Sequence, residues 1–172
     1  TEYNLPIFMN DTRIAECASK ANYPLYRKLF WGTRKPFEAL PLENHFSSRT
    51  GRWKVIPTPG HTNDHLAFLN EETGQLFTGD LFVTPKTKVV LREENVPQII
   101  SSLELAISHD FQEMYCNHAG YIKNGKDALQ QKLNFLKELS GKIEQMADEG
   151  MTSPEITNQL FDKKYPVTKL SL

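Results

Sequence analysis

The chain has 172 residues and a mass of 19.7 kDa, enough for one domain with a substantial core. Hydrophobic residues make up 39% and charged residues 24%, and the net charge of −1 excludes the clustered basic excess expected of a nucleic-acid or anionic-lipid binder. No apolar run reaches the length of a membrane span, no signal peptide is evident, and the two cysteines, Cys17 and Cys116, form no disulfide framework. The expected compartment is therefore a reducing cytoplasm, with a single bridge between the two cysteines left open.

The first residues read as a short strand, LPIFM, then a helix opened by Asn10 or Asp11 as N-cap and carried through TRIAECASKA. From residue 22 to residue 50 the periodicity is poor and aromatic, basic and proline residues are frequent. Tyr23, Tyr26, Phe30, Trp31 and Phe37 either line a pocket or pack a satellite core, packing being favoured. Arg27, Lys28, Arg34 and Lys35 could attract an anionic substrate, although most surface cations have no such role. His45 reads as a surface or hairpin residue.

The stretch from Trp53 to Val83, WKVIPTPGHTNDHLAFLNEETGQLFTGDLFV, carries the densest chemistry. WKVIPT is an apolar strand ending in the breakers Pro57, Pro59 and Gly60, which puts His61 on a loop just beyond a strand. HLAFLN alternates, Glu71-Glu72-Thr73-Gly74 supplies turn chemistry, and QLFTGDLFV returns as a strand broken at Gly79-Asp80. His61, Asp64 and Asp80 are potential metal ligands at strand ends, with His65 beside them. An Asp among Leu76, Phe77, Leu81, Phe82 and Val83 is a partly buried carboxylate that needs a compensating partner. The bland reading of Asp80, a turn cap after the strand, is favoured on these residues alone.

VPQIISSLELAI then places Ile99, Ile100, Leu103 and Ile107 on one helical face, with Pro97 near its start. His109 suits the C-terminal end of that helix, where a cation complements the dipole. EMYC is a short strand, followed by the NHAG loop that holds His118, again a His at a strand end. Asp127 to Ala147 forms a helix with Leu129, Leu133, Leu136, Ile143 and Met146 in one stripe. A shorter helix follows with Ser153 as N-cap, Pro154 in its first turn and Glu155 behind. The charges of both helices read as a solvated face, with a dimer or lid element the minority reading.

PTPGHTNDH, LFTGDLFV and MYCNHAG, in this order, resemble the second half of the metallo-β-lactamase-fold hydrolases. The resemblance implies an α/β fold of αββα sandwich type, as one partial domain over residues 1–172 with C-terminal helices from about residue 126. It also implies one or two metal ions, zinc above all. His61 corresponds to the PGHT-type ligand, Asp80 to the bridging TGD-type ligand and His118 to the last ligand. The region from residue 22 to residue 50 would lie beside the active-site face. His65 is expected to support ligands or structure rather than to bind metal.

The family's upstream H-x-H-x-D-H cluster is missing from these residues, and with it the Asp that orients the attacking hydroxide. The expectation is a sandwich incomplete at its N-terminus, inactive as it stands, exposing strand edge and apolar surface and prone to association. The implied reaction is attack by a metal-activated hydroxide on an ester, thioester, lactone or similar bond of a small-molecule substrate. Neither nucleic acid nor membrane is an expected partner, and a homodimer is possible. The competing reading is a binding or assembly domain that kept the fold and lost the site.

Overall fold

The computed structural model describes residues 5–161 apart from residues 24, 88 and 92, and within the helix spanning residues 25–31 it leaves out the side chains of Tyr26, Arg27 and Trp31. The expectations for those three side chains therefore lie outside the described residues. Strands β1 (Phe8–Met9) and β2 (Leu40–Pro41) pair in parallel as a small two-stranded sheet. Between them lie a 3-10 turn at Asp11–Arg13, the short helix α1 (Ile14–Cys17) and α2 (Leu25–Trp31).

The first helix is shorter than its sequence suggests. Asn10 caps the 3-10 turn by accepting the Thr12 N–H, but the helix stops at Cys17 because its last carbonyls find other donors. Arg34 donates to the carbonyls of Glu16 at 2.6 Å, Cys17 at 3.0 Å and Ser19 at 3.2 Å, and the Phe37 N–H also reaches Cys17. Arg34 is thus a structural clamp, stacked over Phe37. Phe30 is largely exposed.

The main sheet has six strands in chain order: β3 (His45–Ser48), β4 (Gly51–Pro57), β5 (Leu66–Asn70), β6 (Gln75–Gly79), β7 (Glu113–Cys116) and β8 (Gly120–Ile122). All neighbours are antiparallel except β6 and β7, which run parallel across the crossover helix α3 (Val96–Ser108). Strand alternation sends Ile56, Ala67, Leu69, Leu76, Met114 and Cys116 to one face. There they meet Ile99, Leu103 and Ala106 of α3 and Leu129, Leu133 and Leu136 of α4 (Gly125–Asp148). Asn95 caps α3 by accepting the Gln98 N–H, with Pro97 in the first turn.

The opposite face carries an aromatic ribbon of Phe46, Trp53, Phe68, Phe77, Tyr115 and Tyr121. Neighbouring ring centroids lie 4.8–6.1 Å apart. Among the described residues one layer of helices covers one face of this sheet, and no helix is long and apolar enough to cross a membrane.

Three readings of detail need correction. Strand β8 escaped the sequence because its three residues carry no periodic signal. The stripe of α4 leaves the core after Leu136, so Ile143 is partly exposed. Helix α5 (Ser153–Leu160) is capped one residue earlier than expected: Thr152 is the N-cap, and Glu155 accepts both its backbone N–H and its hydroxyl. His109 is the C-cap of α3, as its sequence position suggested, and its imidazole is held below its usual pKa, first by burial and then by Lys54 and Lys126. Cys17 and Cys116 are both buried free thiols.

Candidate metal centre at the strand ends

Four strand ends meet at one edge of the main sheet. The antiparallel β4–β5 pair, in register at Pro57 and Leu66, turns back through residues 58–65, which carry His61. The parallel β6–β7 pair brings the ends of both strands to the same edge, where the Asn117 N–H donates to the Gly79 carbonyl at 3.2 Å. Asp80 follows β6, and His118 sits in the turn joining β7 to β8. Carboxyl ends of parallel strands are the usual place for a site in an open α/β sheet.

The His61 loop is clamped by α3. Gly60 has φ +136°, and a Cβ there would lie 2.5 Å from Ile99 Cγ1 and 2.6 Å from the Ile99 backbone nitrogen, so only glycine fits. The Asn95 N–H donates to the Gly60 carbonyl at 2.8 Å, and the Ser102 hydroxyl donates to the Pro59 carbonyl at 2.7 Å. His61 Nδ1 lies 2.7 Å from Glu94 Oε1.

Asp80 is fixed from behind. Its backbone N–H donates to His65 Nε2 at 3.0 Å, which puts the His65 proton on Nδ1, where it is donated to the Thr58 hydroxyl at 2.8 Å. Burial, with the charge of His61 next, holds the His65 pKa below its ordinary value, consistent with a neutral ring that accepts at Nε2. Gly79 has φ +52°, and a Cβ there would meet His65 Nε2 at 2.7 Å. The β-bulge between Phe77 and Gly79 aims the next side chain off the strand.

The two oxygens of Asp80 face different imidazoles. Oδ2 lies 3.5 Å from His61 Nε2, and Oδ1 lies 3.1 Å from His118 Nε2 while accepting from Asn117 Nδ2 at 3.2 Å. The side chains of His61 and Asp80 are 30% and 26% exposed and that of His118 is 59% exposed, so the group is open on one side. Two imidazoles and a carboxylate are the donor types that zinc and similar ions select. The carboxylate has one oxygen toward each imidazole, as a bridging ligand would. The chemistry of the donor set therefore fits a metal, although among the described residues no three or more His, Cys, Asp or Glu side chains already converge as a cage.

A cavity of about 530 Å³ opens beside these groups, walled mainly by aliphatic side chains such as Val90, Leu91, Ile99 and Leu136. That volume suits a small-molecule ligand. Lys132 of α4 also lines it, 6% exposed, donating to the Leu81 carbonyl at 2.7 Å. Burial pushes its ammonium pKa down. This lysine departs from the solvated face read for the helix charges.

The structure thus brings His61, Asp80 and His118 together and leaves Asp64 out. The Asp64 carboxylate lies 3.2 Å from Arg13 Nε, at a second cavity of about 710 Å³ that Tyr23 and Phe37 also line. His65 meets the site through its hydrogen bond with the Asp80 backbone N–H and edge-to-face against the His61 ring, 6.2 Å between centroids. His45 is paired with Glu71 at 3.5 Å. Glu94, Asn117 and Lys132 were not singled out by the sequence. Only Asn117, adjacent to His118, carried any signal there.

Solved structures match this architecture. A metallo-β-lactamase family protein from Thermus thermophilus superimposes with a TM-score of 0.57 at 20% identity, covering 79% of this chain and 54% of that one. The chain has the metallo-β-lactamase fold. Another neighbour, solved in a di-iron-bound form, matches with a TM-score of 0.56 at 19% identity, over 73% of this chain and 63% of its own.

Among curated proteins, a hydroxyacylglutathione hydrolase of Rhodopseudomonas palustris is 35% identical over 77 residues, 44% of this chain and 30% of that protein. The atrochrysone carboxyl ACP thioesterase of Aspergillus fumigatus is 30% identical over 89 residues, 52% of this chain and 27% of that protein. The chain spans less than half the length of these curated relatives. No family model matches it.

Proposed function

We propose that the chain carries part of the centre of a metal-dependent hydrolase that cleaves an ester, thioester, lactone or similar bond, with zinc as the metal. The observation that carries this reading is Asp80 with its two oxygens turned to His61 and His118. Similarity to a hydroxyacylglutathione hydrolase and to a thioesterase supports a thioester as the first substrate class to try.

His61, Asp80 and His118 would hold the metal, which when bound activates water near neutral pH and polarises the scissile carbonyl. The rest of the work belongs to the protein. His65 and the bulge at Gly79 hold the Asp80 carboxylate in place, and Asn117 occupies one lone pair of Oδ1. The aliphatic cavity provides a place for the acyl portion of a substrate and limits water there.

The test is hydrolysis of an acylglutathione thioester, with zinc supplied, by the chain extended with an upstream segment that carries the H-x-H-x-D-H cluster, since the chain as it stands is expected to be inactive. The expected result is turnover that disappears on chelation and in Asp80→Ala. Turnover that survives both would overturn the proposal. No zinc-dependent turnover at all would favour a domain that keeps the fold for binding or assembly.

A further inference from the structure

We propose that Glu94 is a positioning residue that fixes His61 as the Nδ1–H tautomer and thereby turns the lone pair of its Nε2 toward Asp80. Each oxygen of the Glu94 carboxylate takes its own donor. Oε1 lies 2.7 Å from His61 Nδ1, and Oε2 accepts the Leu91 N–H at 2.7 Å. A carboxylate is an acceptor only, and both ring nitrogens face one. The 2.7 Å contact of Nδ1 with Glu94 is a hydrogen bond, whereas Nε2 lies 3.5 Å from Asp80 Oδ2, beyond ordinary hydrogen-bond length, so the single proton of the neutral ring resides on Nδ1 and Nε2 keeps its lone pair.

Free imidazole in histidine favours the opposite tautomer, and Glu94 reverses that preference. A neutral imidazole bound through Nε2, with Nδ1–H held by a carboxylate, is a common way of orienting a metal-ligating histidine.

The pair is held from both sides by the same helix. The residue after Glu94, Asn95, caps α3 with its side chain and donates its backbone N–H to the Gly60 carbonyl. Gly60, the residue before His61, is pressed against Ile99 of that helix. Glu94 is 15% exposed, so its hydrogen bonds are sheltered from competing water. Leu91 lines the aliphatic cavity, and Glu94 therefore also ties the cavity wall to His61.

The tautomer assignment rests on hydrogen bonding alone, whereas its consequence for metal binding rests on the hydrolase reading above. The first measurement is long-range proton–nitrogen correlation NMR of the full chain at pH 8.5 without metal, with the His61 ring assigned by its loss in His61→Ala. The wild type should show a protonated Nδ1 and an unprotonated Nε2. Glu94→Ala should invert this pattern. Glu94→Gln, whose single amide oxygen can replace only one of the two acceptors, should give a mixture.

The second measurement is zinc titration, in which Glu94→Ala should bind roughly 10–100-fold more weakly than wild type and Glu94→Gln should recover part of the loss. A wild type with the proton on Nε2, or a Glu94→Ala variant that keeps it on Nδ1, would overturn the inference. If Glu94→Ala does not fold, the wild-type and Glu94→Gln spectra decide it. A wild type with the expected tautomer that binds no zinc would leave the assignment standing and refute the hydrolase reading instead.

Discussion

His65 Nε2 accepts the backbone N–H of Asp80 at 3.0 Å across 15 positions of sequence. The end of the β4–β5 loop therefore sets the direction of the β6 end. His65→Ala leaves that N–H without its partner, and the expected loss is about 1–3 kcal/mol of stability. Gly79→Ala should act on the same contact, since its Cβ would press on the His65 ring and the left-handed backbone adds roughly 1–2 kcal/mol of strain. Urea denaturation of the two single variants and the double variant measures both. Coupling close to zero would show that the contact does not join the two residues.

Two glycines in opposite settings give a paired prediction. At Gly60, with φ +136° and the Ile99 backbone 2.6 Å from the point a Cβ would occupy, alanine should force α3 away and lower the melting temperature. At Gly141, inside α4 with nothing within 4 Å, alanine should raise stability by about 1 kcal/mol. Thermal melts of Gly60→Ala and Gly141→Ala should move in opposite directions, and a shared direction would contradict the packing described.

The cap of α5 gives a pH dependence. Glu155, bonded first by the Thr152 hydroxyl and then by its backbone N–H, has a pKa below the ordinary 4.5. A carboxyl with a depressed folded-state pKa contributes stability that is complete above its unfolded value and is lost as pH falls through the folded value. Amide protection over residues 153–160, corrected for the intrinsic exchange rate, which itself slows as pH falls, should therefore drop below about pH 4.5. Glu155→Gln should remove much of this pH-dependent loss of protection.

The aromatic ribbon predicts association. Phe46, Phe77 and Tyr121 are 36%, 39% and 50% exposed on a face that no described helix covers, and such continuous apolar surface favours contact with another surface. Size-exclusion chromatography should show concentration-dependent association, weakened in a Phe77→Ser, Tyr121→Ser double variant. A compact monomer at all concentrations would contradict this expectation.

The legible parts of the chain were those whose signals are local. Pro57, Pro59 and Gly60 announced the loop of His61, Gly79 marked the break before Asp80, and the spacing of Ile99 and Leu103 gave the face of α3. What stayed hidden depends on distant partners. Arg34 ends α1 from 17 positions away, Glu94 sits in a charged stretch like any surface residue, and Lys132 is buried because Leu81 offers it a carbonyl. The likeness of Asp64 to a ligand was undone by Arg13, a contact no spacing rule encodes.

The most direct test of the central claim, that His61, Asp80 and His118 form a metal centre, is the zinc content of the purified full chain after equilibration with zinc and removal of excess. Wild type should retain zinc stoichiometrically, and His61→Ala, Asp80→Ala and His118→Ala should each lose most of it while keeping the wild-type circular dichroism spectrum. A folded wild type that retains no zinc, or three variants that retain as much as wild type, would contradict the claim.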